Sequence, residues 1–323
     1  MTNISKASVV MCLCLLTANV LAQSSGEQKK PDEKQQVLWE KLESQIREID
    51  QHLDGVMGVA IEDLTTGQKY FLHENAVFAQ ASSIKICVLA ELYHQNQQAL
   101  GGASGKAKLS DMYTMDAKDL VQDSDIMGGL TPGVTRITNR DLATMMIAVS
   151  DNSAANVLID RVGMQNVNAL MDSLGLTHTR LQRKMMDIKA ASEGRENIST
   201  PREMMTLLEE LYRGKVLNKE MTDDFFKMLS THKDSAISRV LPEGVRSADK
   251  PGELEGVRTD SGVIFAVNRP YAISVMTSYL HNERDGADAI GQISLAAYQM
   301  FDRLGRASEY GRVVSTSNGS NTH

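Results

Sequence analysis

Strand-like runs stand at both ends of this chain, with one long block of helical periodicity between them, and that order leaves few ways to build a core. Met57 to Asp63 reads as a strand, meets the turn Thr65-Thr66-Gly67, and is followed by Lys69 to His73, a hairpin pattern. Upstream, Leu38, Leu42, Ile46 and Ile49 recur at helical spacing along a charged segment. From Ser82 to about Leu229 the spacing is largely helical: Leu142, Met145, Met146 and Val149 make one stripe, and Val157, Leu158 and Val162 continue in a second helix. Strand character returns in Val245 to Lys250, Ser261 to Val267 and Tyr271 to Tyr279, and a helix from about Gly286 to Leu304 closes the pattern. The expected fold class is α/β (α+β): an antiparallel sheet built from both chain ends with flanking helices, plus an inserted all-α subdomain. A cleft between sheet and helices is where a site is expected. No internal repeat is found.

The ends of the chain read differently. Met1 to Ala22 has the pattern of a secretory signal peptide, with Lys6 in the n-region, an apolar run from Ala7 to Leu16 and a Val20-Leu21-Ala22 cleavage site. Residues 23–35 read as a polar tether, 36–306 as one catalytic domain, and 307–323, rich in Ser, Asn and Gly, as a disordered tail. Within the domain the α/β part covers about 36–81 and 230–306, and the helical part about 82–229. These boundaries imply a periplasmic or secreted protein. Of the 3 cysteines only Cys87 would survive cleavage, so the mature domain relies on its core and not on an internal disulfide. A formal net charge of −7 disfavours nucleic acid and anionic membrane as partners. Metal-ligand spacing is absent among the His and Cys residues, so neither metal nor cofactor is expected. A monomer with a small-molecule or cell-wall peptide substrate and no stable membrane partner is the expected working form.

Three short motifs carry chemistry. In Ser82-Ser83-Ile84-Lys85 a serine precedes a lysine by three residues, which places both side chains on one face if the stretch is helical. A serine hydroxyl is a weak nucleophile until a base takes its proton, and a lysine serves only when burial or a nearby cation lowers its pKa. Ser150-Asp151-Asn152 follows the Leu142–Val149 stripe, where one helix stops and another starts; all three residue types also suit plain helix capping. Lys250-Pro251-Gly252 ends a strand-like run, and Pro-Gly alone marks a turn.

Ser-x-x-Lys, Ser-Asp-Asn and Lys-x-Gly in this order resemble the known signature of class A β-lactamases and penicillin-binding proteins. The likeness extends to Ile137-Thr138-Asn139-Arg140-Asp141-Leu142, to Ala154-Ala155-Asn156, to Leu174-Gly175-Leu176 with Thr179-Arg180-Leu181, and to Thr200-Pro201. It implies a β-lactamase/transpeptidase-like fold in which Ser82 is acylated and Lys85 accepts or orients its proton. It further implies that Ser150 relays a proton to the departing nitrogen and that Asn152 binds the substrate amide. Lys250 would lower the pKa of Lys85 and Ser150 and attract a carboxylate. The backbone N–H groups of Ser82 and Glu253 would form the oxyanion hole.

Two positions depart from that family's pattern. Arg183-Lys184-Met185-Met186-Asp187 places Met185 where the omega-loop glutamate belongs, and a thioether cannot accept a proton from water. Asp187 is the expected substitute base, with Glu193 and Glu196 as weaker candidates. Pro251 replaces the hydroxyl residue of Lys-Thr/Ser-Gly and brings neither hydroxyl nor N–H. The lost donor is worth about 1–3 kcal/mol, which Arg258 and Thr259 are expected to supply from the facing strand. The expected activity is hydrolysis of β-lactams through an acyl-enzyme on Ser82. A D-Ala-D-Ala peptidase or transpeptidase, and a covalent β-lactam sensor without turnover, are the alternatives.

Overall fold

The computed structural model describes residues 33–313. In chain order, helix α1 (Glu33–His52) leads into strands β1 (Val56–Asp63), β2 (Lys69–Leu72) and β3 (Phe78–Ala79). Then come α2 (Lys85–Leu100), β4 (Met112–Thr114), β5 (Arg136–Thr138), α3 (Asn139–Ala148), α4 (Asn152–Val162), α5 (Met164–Ser173) and α6 (Ile188–Ser192). The chain continues through β6 (Ile198–Ser199), α7 (Pro201–Tyr212) and α8 (Lys219–Leu229) to β7 (Ser247–Leu254), β8 (Val257–Ile264), β9 (Tyr271–Ser278) and α9 (Glu283–Arg306).

One five-stranded sheet runs in the order β2-β1-β9-β8-β7, and every neighbouring pair is antiparallel. The two chain ends meet where β1 pairs with β9 along its whole length, from Val56 opposite Ser278 to Asp63 opposite Tyr271. On one face α1 and α9 bury Trp39, Leu42, Ile46, Ile290 and Phe301 against the strands. Tyr271 stacks on Phe301 with ring centroids 4.2 Å apart, and Trp39 meets the same ring edge-on at 5.6 Å. The helical block lies on the other face around α2, whose Ile86, Cys87, Val88 and Leu89 are all inaccessible to solvent. From Ile86 to Ala90 the helix is buried and apolar on every side, which makes the lysine at its first position conspicuous.

Observed elements depart from the expected ones at their ends. The last residues of the expected tether already belong to α1, which starts at Glu33. The expected signal segment, Met1 to Ala22, lies outside the described residues. Ala307 bridges to Val313, so the start of the expected tail is paired backbone; the remainder, 314–323, is outside the described residues. β8 begins at Val257, ahead of the expected Ser261, and β7 runs on to Leu254. Lys250-Pro251-Gly252 therefore lies within a strand, and the turn falls at Gly256, whose φ of 69° suits glycine. Pro251 is tolerated there because β7 is the edge of the sheet. The short pairs β3–β6 and β4–β5 escape any periodicity reading because each strand has 2 or 3 residues.

Asp224 of α8 ties the helical block together. It accepts from both terminal nitrogens of Arg140 (α3) at 2.6 Å and from the hydroxyl of Tyr93 (α2) at 2.9 Å. The Arg140 guanidinium holds its carboxyl below the usual carboxylate range. A depressed acid contributes its stabilisation above its ordinary pKa and loses it as pH falls. Asp224→Asn should cost about 1.5–3 kcal/mol in urea unfolding at neutral pH. The difference from wild type should shrink when the same titration is run below pH ~4.

Candidate active site

The Ser82 turn is built by polar contacts to distant backbone. Ala81 sits at φ 48°, an unfavourable conformation for a residue with a Cβ, and starts a 3-10 turn that ends at Ile84, where α2 begins. Ser82 thus lies in the 3-10 turn, three positions ahead of the first residue of the α-helix expected to carry it. Its N–H belongs to the first turn, whose donors have no acceptor within the helix. Gln80, fully buried, donates its N–H to Asn197 O at 2.8 Å and accepts from Ser83 N at 3.0 Å and Thr259 Oγ1 at 3.1 Å. Ser83 Oγ donates to Lys250 O at 2.8 Å and lies 2.8 Å from Thr259 Oγ1. The nucleophile turn is thereby stitched onto β7 and β8. Gly252 lets them approach: a Cβ there would stand 2.6 Å from both Gln80 O and Thr259 Oγ1.

Two buried amines converge on one hydroxyl. Lys85, with no solvent exposure, donates to Ser150 O, to Ser150 Oγ at 3.0 Å and to Asn152 Oδ1 at 2.8 Å. Lys250 donates to the same Ser150 Oγ at 3.1 Å and to Pro251 O at 2.9 Å. Burial, and then the neighbouring Lys250 charge, hold Lys85 far below the usual lysine range. Lys250 is lowered to about 8, mainly by burial, against the attraction of Asp260, Asp249 and Glu253. Ser150 reaches both amines because it occupies the bend between α3 and α4 at φ 58°, another unfavourable conformation. Asp151, fully buried, caps α4 through Ala154 N at 2.9 Å and also accepts from Met127 N at 2.8 Å and Ile126 N at 3.2 Å. That carboxylate fixes the bend and the neighbouring 122–127 wall in one piece. Capping and projection into the site, read as alternatives from sequence, both occur: Asp151 caps, while Ser150 and Asn152 project.

The omega-loop side is set by α4. Asn156, one turn beyond Asn152 and on the same helix face, accepts from Met185 N at 2.8 Å and donates to Met185 O at 3.1 Å. The Met185 side chain is buried in the main core. Arg183 pairs with Glu196 at 2.9 Å, and Asn197 Oδ1 accepts the N–H groups of Gln182 and Arg183 at 2.7 and 3.0 Å.

Several expected residues are not where the chemistry would need them. Asp187 is exposed and caps α6, accepting from Ala190 N at 3.0 Å, so its carboxylate serves a helix end and not a water in the site. Glu193 pairs with Arg195 and Glu196 with Arg183. Thr259 is buried and bonded to Ser83 and Gln80, which leaves its hydroxyl as scaffold beneath the serine turn. Arg258 points to the other face of β8, where it donates to Leu254 O and Val257 O and lies 3.6 Å from Glu253. Neither compensates for Pro251. The Glu253 side chain is 71% exposed, so only its backbone serves. Pro251 cannot donate to the ladder, so its nitrogen faces the free edge of β7. The two-residue period then turns the Glu253 N–H out of that same edge, beside the Ser82 turn. The sequence reading missed Gln80, Ser83, Asn156 and Asn197; Asn156 alone carried a signal, four residues after Asn152.

A serine on a strained turn, a depressed lysine, a bridging hydroxyl and a second buried cation define a serine acyl-transfer site on an α/β scaffold. The Beta-lactamase enzyme family description matches residues 41–301. The chain belongs to that beta-lactamase enzyme family. Beta-lactamase SME-1 of Serratia marcescens is 26% identical over 306 residues, spanning 90% of this chain and 95% of its own. Among solved structures, a beta-lactamase from Sphaerobacter thermophilus is 29% identical with a TM-score of 0.72, over 81% of this chain and 97% of its own. An ancestral (GNCA) class A beta-lactamase is 26% identical at a TM-score of 0.72, over 80% and 100% of the two chains.

If the close approach at Gly252 holds the serine in place, Gly252→Ala should slow acylation of Ser82 by benzylpenicillin about 100-fold, because small misplacements of a reacting atom cost that much. The check is intact-protein mass against time, with circular dichroism to confirm the fold.

Proposed function

We propose that this protein opens β-lactam amides through an acyl-enzyme on Ser82 and releases the product slowly. The observation that carries the reading is the Lys85–Ser150–Lys250 bridge, 3.0 and 3.1 Å on either side of one hydroxyl, with Lys85 three residues after Ser82. Neutral Lys85 takes the Ser82 proton as Oγ attacks the lactam carbonyl carbon. The N–H groups of Ser82 and Glu253 receive the oxyanion. When the C–N bond breaks, the nitrogen takes a proton from Ser150 Oγ, which is replenished by the proton Lys85 took from Ser82. The ring is then open and an ester joins Ser82 to the acyl group. Asn152, with Oδ1 held by Lys85, presents its amide group to the substrate side chain. Charged Lys250 attracts the substrate carboxylate.

Release requires a base for water, and the residue whose backbone Asn156 fastens is Met185, whose thioether cannot act as one. This favours a long-lived adduct and keeps the covalent-sensor reading as the second one. The protein acts as a monomer, in the periplasm or outside the cell, after loss of the segment ending near Ala22; the signal-peptide pattern supports that placement.

Incubation with a chromogenic cephalosporin and with benzylpenicillin tests the reading. Wild type should form a mass adduct with slow turnover, and Ser82→Ala should form none. Neither turnover nor adduct in wild type would sink it. Met185→Glu should speed loss of the adduct about 100-fold, the ordinary contribution of a positioned general base. Since Lys250 must stay charged, acylation should fall as pH rises through about 8.

A further inference from the structure

The face of β7 turned away from Ser82 carries a second set of buried charges that the acyl-transfer steps do not touch. Asp249 pairs with Gly262, and Pro251 with Asp260, so Asp249 and Asp260 are diagonal neighbours on one face. Lys250 and Gly252, opposite Ser261 and Thr259, point to the other. Asp249 is 1% exposed, and neither of its carboxylate oxygens has a hydrogen-bond partner among the described residues. Gly262 makes room for it: a Cβ there would lie 2.5 Å from the Asp249 Cβ. Asp260, wholly buried, accepts from Ser235 Oγ at 2.8 Å and Ile237 N at 3.0 Å through Oδ2, while Oδ1 has no partner among the described residues. Lys233, 9% exposed, reaches in from the segment after α8 and donates to Leu229 O at 2.8 Å.

Unpartnered buried carboxylates are costly unless opposite charge stands nearby. The cations available are Lys233 and, through the strand, Lys250. The charged groups acting on Lys250 from its surroundings are Lys85 at the start of α2, Asp260 on β8, Lys233 after α8, and Asp249 and Glu253 on β7 itself. We propose that Lys233, Asp249 and Asp260 form a buried charge cluster behind β7 that positions the charge on Lys250 and thereby sets the alkaline limit of Ser82 acylation. The proposal rests on the acyl-enzyme reading above. The electrostatics agree in sign: Asp260 and Asp249 favour charged Lys250, and Lys233 opposes it. Burial and Asp249 push Asp260 itself up to about 8, so the cluster and Lys250 titrate in the same range.

The two halves of the cluster should act in opposite directions, which separates charge from damage to the fold. Single-turnover acylation of the full chain by benzylpenicillin, read by mass from neutral to alkaline pH, is the experiment. In Asp249→Asn/Asp260→Asn the alkaline limb should move down by about 1 pH unit, and in Lys233→Met it should move up. Limbs that stay put, or that move the same way in both variants, overturn the proposal. Should the double variant fail to fold by circular dichroism, Lys233→Met decides alone: an upward shift supports the cluster and any other result overturns it. Absence of an adduct in wild type at every pH instead overturns the acyl-enzyme reading and takes this proposal with it.

Discussion

Ser150 Oγ lies between two buried lysine amines, and much of the molecule serves to keep them there. A lysine amine in water holds its proton and is no base. Removal from solvent lowers its pKa, and a like charge nearby lowers it further. Lys85 receives burial from its place at the start of an internal helix and the like charge from β7, the sheet edge. Both conditions depend on docking helical block and sheet to within a hydrogen bond of each other. Ser83, Gln80 and Thr259 make that joint, and Gly252 leaves the space for it.

The joint in turn depends on how the chain closes. β1 comes from before the helical block and β9 from after it, and their pairing turns the two ends into one platform. α1 and α9 cover the far face with an aromatic cluster around Phe301. The near face is then free to receive α2. A hairpin alone would be too small to hold such a platform flat against a helix bundle.

Lys85, Ser150, Asn152 and Lys250 were legible in the sequence because they stand in short polar triplets at the ends of apolar runs, and the sheet built from both termini was legible from its strand-like segments. Other features were hidden for definite physical reasons. Pro251-Gly252 carries a turn signal, yet an edge strand tolerates both residues, and only the pairing partner reveals the edge. Asp187 has the right chemistry for a base, but helix capping competes for the same carboxylate over a few residues of chain. Thr259 and Arg258 are adjacent, so at most one faces the serine; the one that does spends its hydroxyl on Ser83 and Gln80. Gln80 and Asn197 bond to backbone groups remote in sequence, for which no local pattern exists.

Pro251 has a consequence beyond the reaction. β7 ends the sheet, and the free edge of a strand invites another chain to extend it. An enzyme that must leave one edge open to substrate cannot cover it with a helix. A proline at that edge removes one donor from any foreign strand's ladder, so misassembly through β7 is discouraged at the spot where access has to remain.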